Sequence, residues 1–204
     1  MRGSAQMLMA DAGGAPGERL ARLIVRESDR LAELVEGYLK LARPPPPNLV
    51  ATRLDLVVRE TLEVLRADPS FASVEVTEVL LPVDALADAA QLRQVLINLL
   101  RNAAHAVRGS PVPSLTHASS GGWLRVRTAS ESGVPQLEVW DSAGSIAADD
   151  VGRIFEPFFS KAKGGSGLGL STVQAIVQAH GGSITVTSSP EAGTAFVVKL
   201  KPVA

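Results

Sequence analysis

Asp141-Ser142-Ala143-Gly144-Ser145-Ile146, Ile154-Phe155-Glu156-Pro157-Phe158-Phe159 and Gly164-Gly165-Ser166-Gly167-Leu168-Gly169-Leu170 follow one another inside residues 141–170, and the reading of the whole chain turns on them. The third segment is a glycine-rich turn that opens directly into an apolar helix carrying Leu168, Leu170, Val173, Ile176 and Val177. Such a turn leaves backbone N–H groups and the positive end of a helix facing outward, where an anion can sit. Gly165, Gly167, Leu168 and Gly169 are therefore candidates for cradling phosphate. The spacing is not that of a P-loop, because no Gly-Lys-Ser/Thr follows, and no strand runs straight into these glycines as a dinucleotide fingerprint requires. Upstream, Asn98-Leu99-Leu100-Arg101-Asn102-Ala103-Ala104 lies on a helix expected to begin near Asp88. Asn98 and Asn102 are four apart and share a face, set among Val95, Leu96, Leu99 and Leu100, where a buried amide needs a partner.

Composition narrows the classes. At 204 residues and 46% hydrophobic, the chain can bury one good core and a small additional element. A formal net charge of −1 gives no global field for nucleic acid or for a membrane surface. Cysteine is absent, which excludes disulfides and thiolate metal sites and fits a reducing, cytoplasmic setting. Charges interrupt every apolar run well short of the ~20 residues a membrane helix needs, and no signal peptide is evident at the start. The expectation is a soluble chain without membrane contact, any anchor lying outside it.

Residues 1–15 read as a helix remnant followed by a turn. Glu18 to Ala42 read as a long helix whose Leu20, Ile24, Leu31, Leu34, Tyr38 and Leu41 fall on alternating three- and four-residue steps. That stripe wants helical partners, supplied by residues 1–12 and a second subunit, or else by the chain's own domain. Pro44 to Pro47 stop the helix and form a stiff spacer; capture by a proline-reading partner is the alternative. The expected boundaries are thus 1–43, a linker at 44–48 and a second domain at 49–204. In that domain Leu49 to Arg53 reads as a short strand, and Asp55 to Arg66 as a helix with Leu56, Val57, Thr61, Leu62, Val64 and Leu65 inward. Ser73 to Leu80 reads as an alternating strand carrying Val74, Val76 and Val79. Residues 109–122, rich in Ser, Pro and Gly, read as a loop or a disordered insertion. Trp123 to Thr128 and Gln136 to Asp141 read as a hairpin around Glu131-Ser132-Gly133. Ser183 to Ser188 and Thr194 to Lys201 close a sheet across the Pro190-Glu191-Ala192-Gly193 turn. The alternation predicts an α+β fold, a two-layer α/β sandwich with a mixed sheet backed by helices on one face.

The asparagine helix, the Asp141 box, the phenylalanine segment and the glycine box together resemble the ATP-binding domain of sensor histidine kinases, of the GHKL ATPase superfamily, over residues 50–200. The short Phe158-Phe159-Ser160-Lys161 lid is most similar to the nitrogen-regulation type. The resemblance implies the catalytic core of a two-component kinase, which transfers the γ-phosphoryl of ATP to a histidine and onward to the receiver domain of a response regulator. It implies Mg²⁺ on Asn102, with Asn98 lining the same cavity; amide oxygens are hard ligands suited to that ion. It places His105 near phosphate, although a solvated helix histidine is the plain reading of the same residue. Asp141, at a strand end, is suited to accept a hydrogen bond from an exocyclic amine. By resemblance it reads the adenine amino group, with Thr194 in support; otherwise it merely starts a turn with Ser142. Phe158, Lys161 and Lys163 match the family's lid, the lysines adding to phosphate attraction beside a helix N-terminus. Plain core and solvated lysines are the alternatives there. The resemblance also makes residues 1–43 the remainder of a dimerisation hairpin, through which the chain would form a homodimer.

The chain departs from the family pattern twice. After the Asp the pattern is Asn/Asp-Gly-x-Gly-Ile, and here it is Ser142-Ala143-Gly144-Ser145-Ile146, with Ala143 and Ser145 in place of both expected glycines. A side chain where positive φ is needed costs about 1 kcal/mol or more, and a turn shifted onto Gly144 would rescue it. Secondly, none of the three histidines, His105, His117 and His180, stands in a His-Glu/Asp-x-x-x-Pro box. The phosphoacceptor is expected upstream of Met1, so autophosphorylation by this chain is not expected. His180, at a helix end, reads as structural. A scaffold that has lost its nucleotide yet still binds a response regulator is the competing function. The chaperone, gyrase and mismatch-repair ATPases of the superfamily carry a Glu where Asn98 stands, which sets them aside.

Overall fold

The computed structural model describes residues 21–28, 45–71, 74–109, 122–161 and 165–203. The chain divides into two compact units, Met1–Pro44 and Pro45–Ala204. In the first, residues 21–28 are helical. The helix remnant, the rest of the long helix, Pro44, Lys163, Gly164 and residues 110–121 of the expected loop lie outside the described residues. Among the described residues no helix is long and apolar enough to cross a membrane.

The second unit begins with β1 (Val50–Arg53), which runs directly into α1 (Leu54–Arg66). Arg53 secures that junction by donating from Nε and Nη2 to the two oxygens of Asp55, each at 2.8 Å. The guanidinium beside Asp55 holds its carboxyl below the usual carboxylate range. Leu54, Val57, Val58, Thr61, Leu62 and Leu65 are buried, the three- and four-residue steps of one helix face. Leu56 and Val64, expected inward, lie off that face and are 47% and 67% exposed.

The main sheet has five strands in the order β2-β4-β5-β7-β6. They are β2 (Glu75–Leu80), β4 (Trp123–Glu131), β5 (Val134–Asp141), β6 (Ser183–Ser189) and β7 (Gly193–Lys199). β2 pairs with β4 in parallel and the other pairs are antiparallel, so the sheet is mixed. Ser132 (φ +52) and Gly133 (φ +79) make the tight β4–β5 turn, and the twist of two left-handed residues suits a two-residue hairpin. Period-two alternation places Val76 and Leu80 toward the core and turns Val79 outward. A second ribbon pairs β1 with β3 (Asp84–Ala87). No sequence pattern announced β3; it is fixed by Thr52 Oγ1 donating to Ala87 O at 2.8 Å and by Leu86 N–H donating to Lys201 O at 2.9 Å.

Two further helices lie with α1 against one face of the sheet: α2 (Ala89–Gly109) and α3 (Gly169–Ala179). α2 packs on α1, on α3 and over β5. Leu96, Leu99 and Leu100 of α2 meet Val126, Val139, Phe196 and Val198 of the sheet in one core, shared with Val173 and Val177 of α3. Asp88 caps α2, its Oδ1 accepting the N–H groups of Ala90 (2.9 Å) and Gln91 (3.1 Å). The fully buried His180 ties α3 to the same point: Nε2 accepts the Asp88 N–H at 3.0 Å, so Nδ1 carries the proton it donates to Ile176 O at 2.8 Å. Both site-bearing helices are thus fastened at their far ends by a residue read from sequence as structural.

Candidate functional site

Asp141, the last residue of β5, sits in an inward-facing row across the end of the sheet, with Leu124 of β4 on one side and Thr194 of β7 on the other. It is 3% exposed, and burial pushes its carboxyl up to about 6 against the pull of the Ala143 and Gly144 N–H groups. Its Oδ1 accepts the Ala143 N–H at 2.9 Å. The turn behind it crosses close over β6. Gly144 has φ +55, and a Cβ there would lie 2.1 Å from Ser189 O. Ala143 and Ser145 are not among the residues with positive φ. The loop therefore demands one glycine, at 144, where the sequence supplies it.

Asn98, Asn102 and His105 line one side of a cavity of about 530 Å³ from α2, while Asp141, Ser145, Ile146 and Thr194 line the sheet end. The position a Cβ would take on Gly169 is 3.7 Å from Asn98 Oδ1, so the asparagine helix and the glycine box face each other closely. Neither Asn98 nor Asn102 makes a side-chain hydrogen bond among the described residues, as a cap or a bond to the sheet would require. Two amides are left presented to the cavity. His105 is exposed on the same rim. Arg101, which the sequence reading passed over, also lines the cavity and pairs with Asp68 at 3.2 Å.

Gly165, Gly167 and Gly169 form the third wall and open α3 as expected. Leu168 is buried at the helix start, its carbonyl accepting Thr172 Oγ1 at 2.7 Å and Ser171 Oγ at 3.0 Å, so it shapes the turn from behind without lining the cavity. Gly167 (φ +68) approaches Phe158 (φ +66) so closely that a Cβ on Gly167 would be 2.4 Å from the Phe158 carbonyl carbon; the Phe158 N–H donates to Gly167 O at 3.0 Å. This reversed backbone leaves Phe158 57% exposed and outside the cavity lining, which Phe159 supplies in its place. The Arg153 guanidinium stands 4.8 Å over the Phe159 ring. Lys161 reaches the cavity, where Asp150 of the 3₁₀ turn Ala148–Asp150 holds its ammonium in an ion pair. Ile154, the first residue of the phenylalanine segment, also lines the cavity, as does Asp150, which belongs to no motif. The cavity thus joins an acceptor at its sheet end, two amides along one helix, and a glycine-lined helix start with a lysine beside it.

The chain is 34% identical over 194 residues to the sensor histidine kinase ZraS of Escherichia coli K12, covering 94% of this chain and 39% of that one. It is 36% identical over 195 residues to the sensory histidine kinase/phosphatase NtrB of Rhodobacter capsulatus, covering 92% of this chain and 54% of that one. The chain therefore spans only part of the curated relatives it matches. Among solved structures, the mycobacterial sensor histidine kinase MprB superposes with a TM-score of 0.62 at 26% identity, covering 76% of this chain and 99% of that one. Full-length ShkA in complex with AMPPNP gives a TM-score of 0.74 over 99% of this chain and 43% of that one, and at 23% identity it speaks to the fold alone. Residues 87–204, which hold every wall of the cavity, match the family described as histidine kinase-, DNA gyrase B-, and HSP90-like ATPase, and the chain belongs to that family.

Proposed function

We propose that this chain is the ATP-binding catalytic core of a two-component sensor histidine kinase, which presents the γ-phosphoryl of ATP to a histidine outside residues 1–204 for onward transfer to a receiver domain. The observation that carries the reading is the convergence on one cavity of a buried acceptor (Asp141), the paired amides of α2 and the glycine-lined start of α3. Asp141 would accept the adenine amine, with Thr194 beside it. The N–H groups at the start of α3 would hold phosphate oxygens, which a helix N-terminus favours. Lys161 would exchange its bond to Asp150 for one to phosphate. Mg²⁺, when bound, supplies charge neutralisation along the triphosphate. Asn102 fits it as a single hard oxygen donor facing the cavity, the arrangement an ion that keeps several waters accepts. Among the described residues no group of three or more His, Cys, Asp or Glu offers an alternative cage. Catalysis by such a site is positioning and electrostatic stabilisation, since no side chain of the cavity needs to bond covalently to phosphorus. Residues 1–43 would serve dimerisation, and 44–48 would link them to the catalytic domain. The retained Gly144 turn supports a working nucleotide site over the scaffold alternative.

Calorimetric titration with a non-hydrolysable ATP analogue, with and without Mg²⁺, tests the reading. Micromolar binding that needs Mg²⁺ and is lost in Asp141→Asn is the expected result. A folded chain that ignores millimolar nucleotide would refute the kinase reading and leave the scaffold.

A further inference from the structure

We propose that Ser188 is a positioning residue that fixes Thr194 as a hydrogen-bond donor and so sets the cavity's preference for adenine over guanine, an inference that rests on the nucleotide reading above. Asp141, Thr194 and Ser188 are direct cross-strand neighbours on β5, β7 and β6, a polar row at one end of the sheet face that carries the core. Ser188 Oγ accepts the Ile146 N–H at 3.2 Å and lies 2.9 Å from Thr194 Oγ1. A hydroxyl carries one proton, and among the described residues the Thr194 oxygen is the acceptor placed to take that of Ser188. Thr194, 1% exposed and lining the cavity, is then left with its own proton to donate. The sheet end therefore offers an acceptor at Asp141 beside a donor at Thr194. Adenine presents the complement along its edge, an amine donor next to a ring-nitrogen acceptor, whereas guanine presents a carbonyl acceptor next to an N–H donor. Losing the Ser188 hydroxyl lets Thr194 turn and accept instead, which relaxes the choice of base.

The test is competition binding of ADP, GDP and inorganic tripolyphosphate, each with Mg²⁺, to the wild-type chain, Ser188→Ala, Ser188→Thr, Thr194→Val and the Ser188→Ala/Thr194→Val double variant. Ser188→Ala is expected to narrow the ADP-to-GDP affinity ratio roughly ten-fold, the scale of one hydrogen bond, with tripolyphosphate unchanged. Ser188→Thr, which keeps the hydroxyl, is expected to restore the ratio, and Ser188→Ala is expected to add nothing in the Thr194→Val background. An unchanged ratio, an equal weakening of all three ligands, or a further narrowing in the double variant overturns this inference alone. A wild-type chain that binds none of the three overturns the nucleotide reading together with it.

Discussion

Asp141 is ionised at neutral pH inside a site that penalises its charge, and that penalty has a size. Its carboxyl is pushed from the ordinary 3.8 up to about 6, chiefly by burial. A shift of about 2 units corresponds to roughly 3 kcal/mol between the protonated and ionised forms. The native state holds the proton more tightly than the unfolded chain, so the stability this group contributes is full below pH 3.8 and lost as pH rises through about 6. Asp141→Asn removes the charge and keeps an oxygen to accept the Ala143 N–H. At about pH 8 the variant is expected to be more stable than wild type by as much as ~3 kcal/mol, shrinking to about 1 kcal/mol near pH 4.5. The same change removes the proposed acceptor for the nucleobase, so the more stable protein is the one that no longer binds. Urea unfolding followed by tryptophan fluorescence suits the measurement, because Trp140 adjoins Asp141 and lies 6.5 Å from Trp123 between ring centroids. A variant less stable than wild type at pH 8, or a stability difference that does not change with pH, would show that the carboxylate is not under this strain.

Five other substitutions have defined outcomes. Gly144→Ala places a Cβ 2.1 Å from Ser189 O at a φ of +55, and a loss of about 2–4 kcal/mol is expected; Ala143→Gly and Ser145→Gly are expected to fall within about 1 kcal/mol of wild type in the same denaturation assay. His180→Ala empties a fully buried position and leaves the Asp88 N–H and the Ile176 carbonyl without their partner, an expected loss of about 2–4 kcal/mol in urea midpoint titrations. Lys161→Ala is expected to weaken tripolyphosphate binding several-fold and to leave adenosine unaffected, with a shallower salt dependence in calorimetry.

What could be read from sequence was what short-range chemistry dictates. Asn98 and Asn102, four apart on a helix, and the glycines running into α3 carry their placement in their spacing, and both face the cavity. Asp88 was legible as a helix start because an N-cap side chain is a local device. The failures came from long-range constraints. Ala85, Leu86 and Ala87 have no β-branched residue to announce a strand, and β3 exists because Thr52 and Lys201 bond to it. Leu56 and Val64 are apolar and so read as inward, but the helical period turns them out. From sequence Phe158 reads as the site residue, because nothing local shows a non-glycine residue at φ +66; Gly167, nine positions on, imposes it. Asp150 carries no motif, and only the fold brings it to Lys161 eleven residues away. The glycine count of the Asp141 box misled for a related reason, since a turn needs glycine where the backbone reverses and here that is one position.

The segment just after the boundary between the two units is lashed to the start of α2 at two points. Gln91 Nε2 donates to Pro45 O at 3.0 Å, and the Asn48 N–H donates to the Asp88 carboxylate at 3.1 Å. Gln91 and Asn98 lie seven residues apart on one rigid rod, about 10 Å at the helical rise. The Asp88 N–H at the start of that rod is in turn held by His180 at the end of α3. The proline segment, the asparagine wall and the glycine wall of the cavity are thereby bonded in one continuous series.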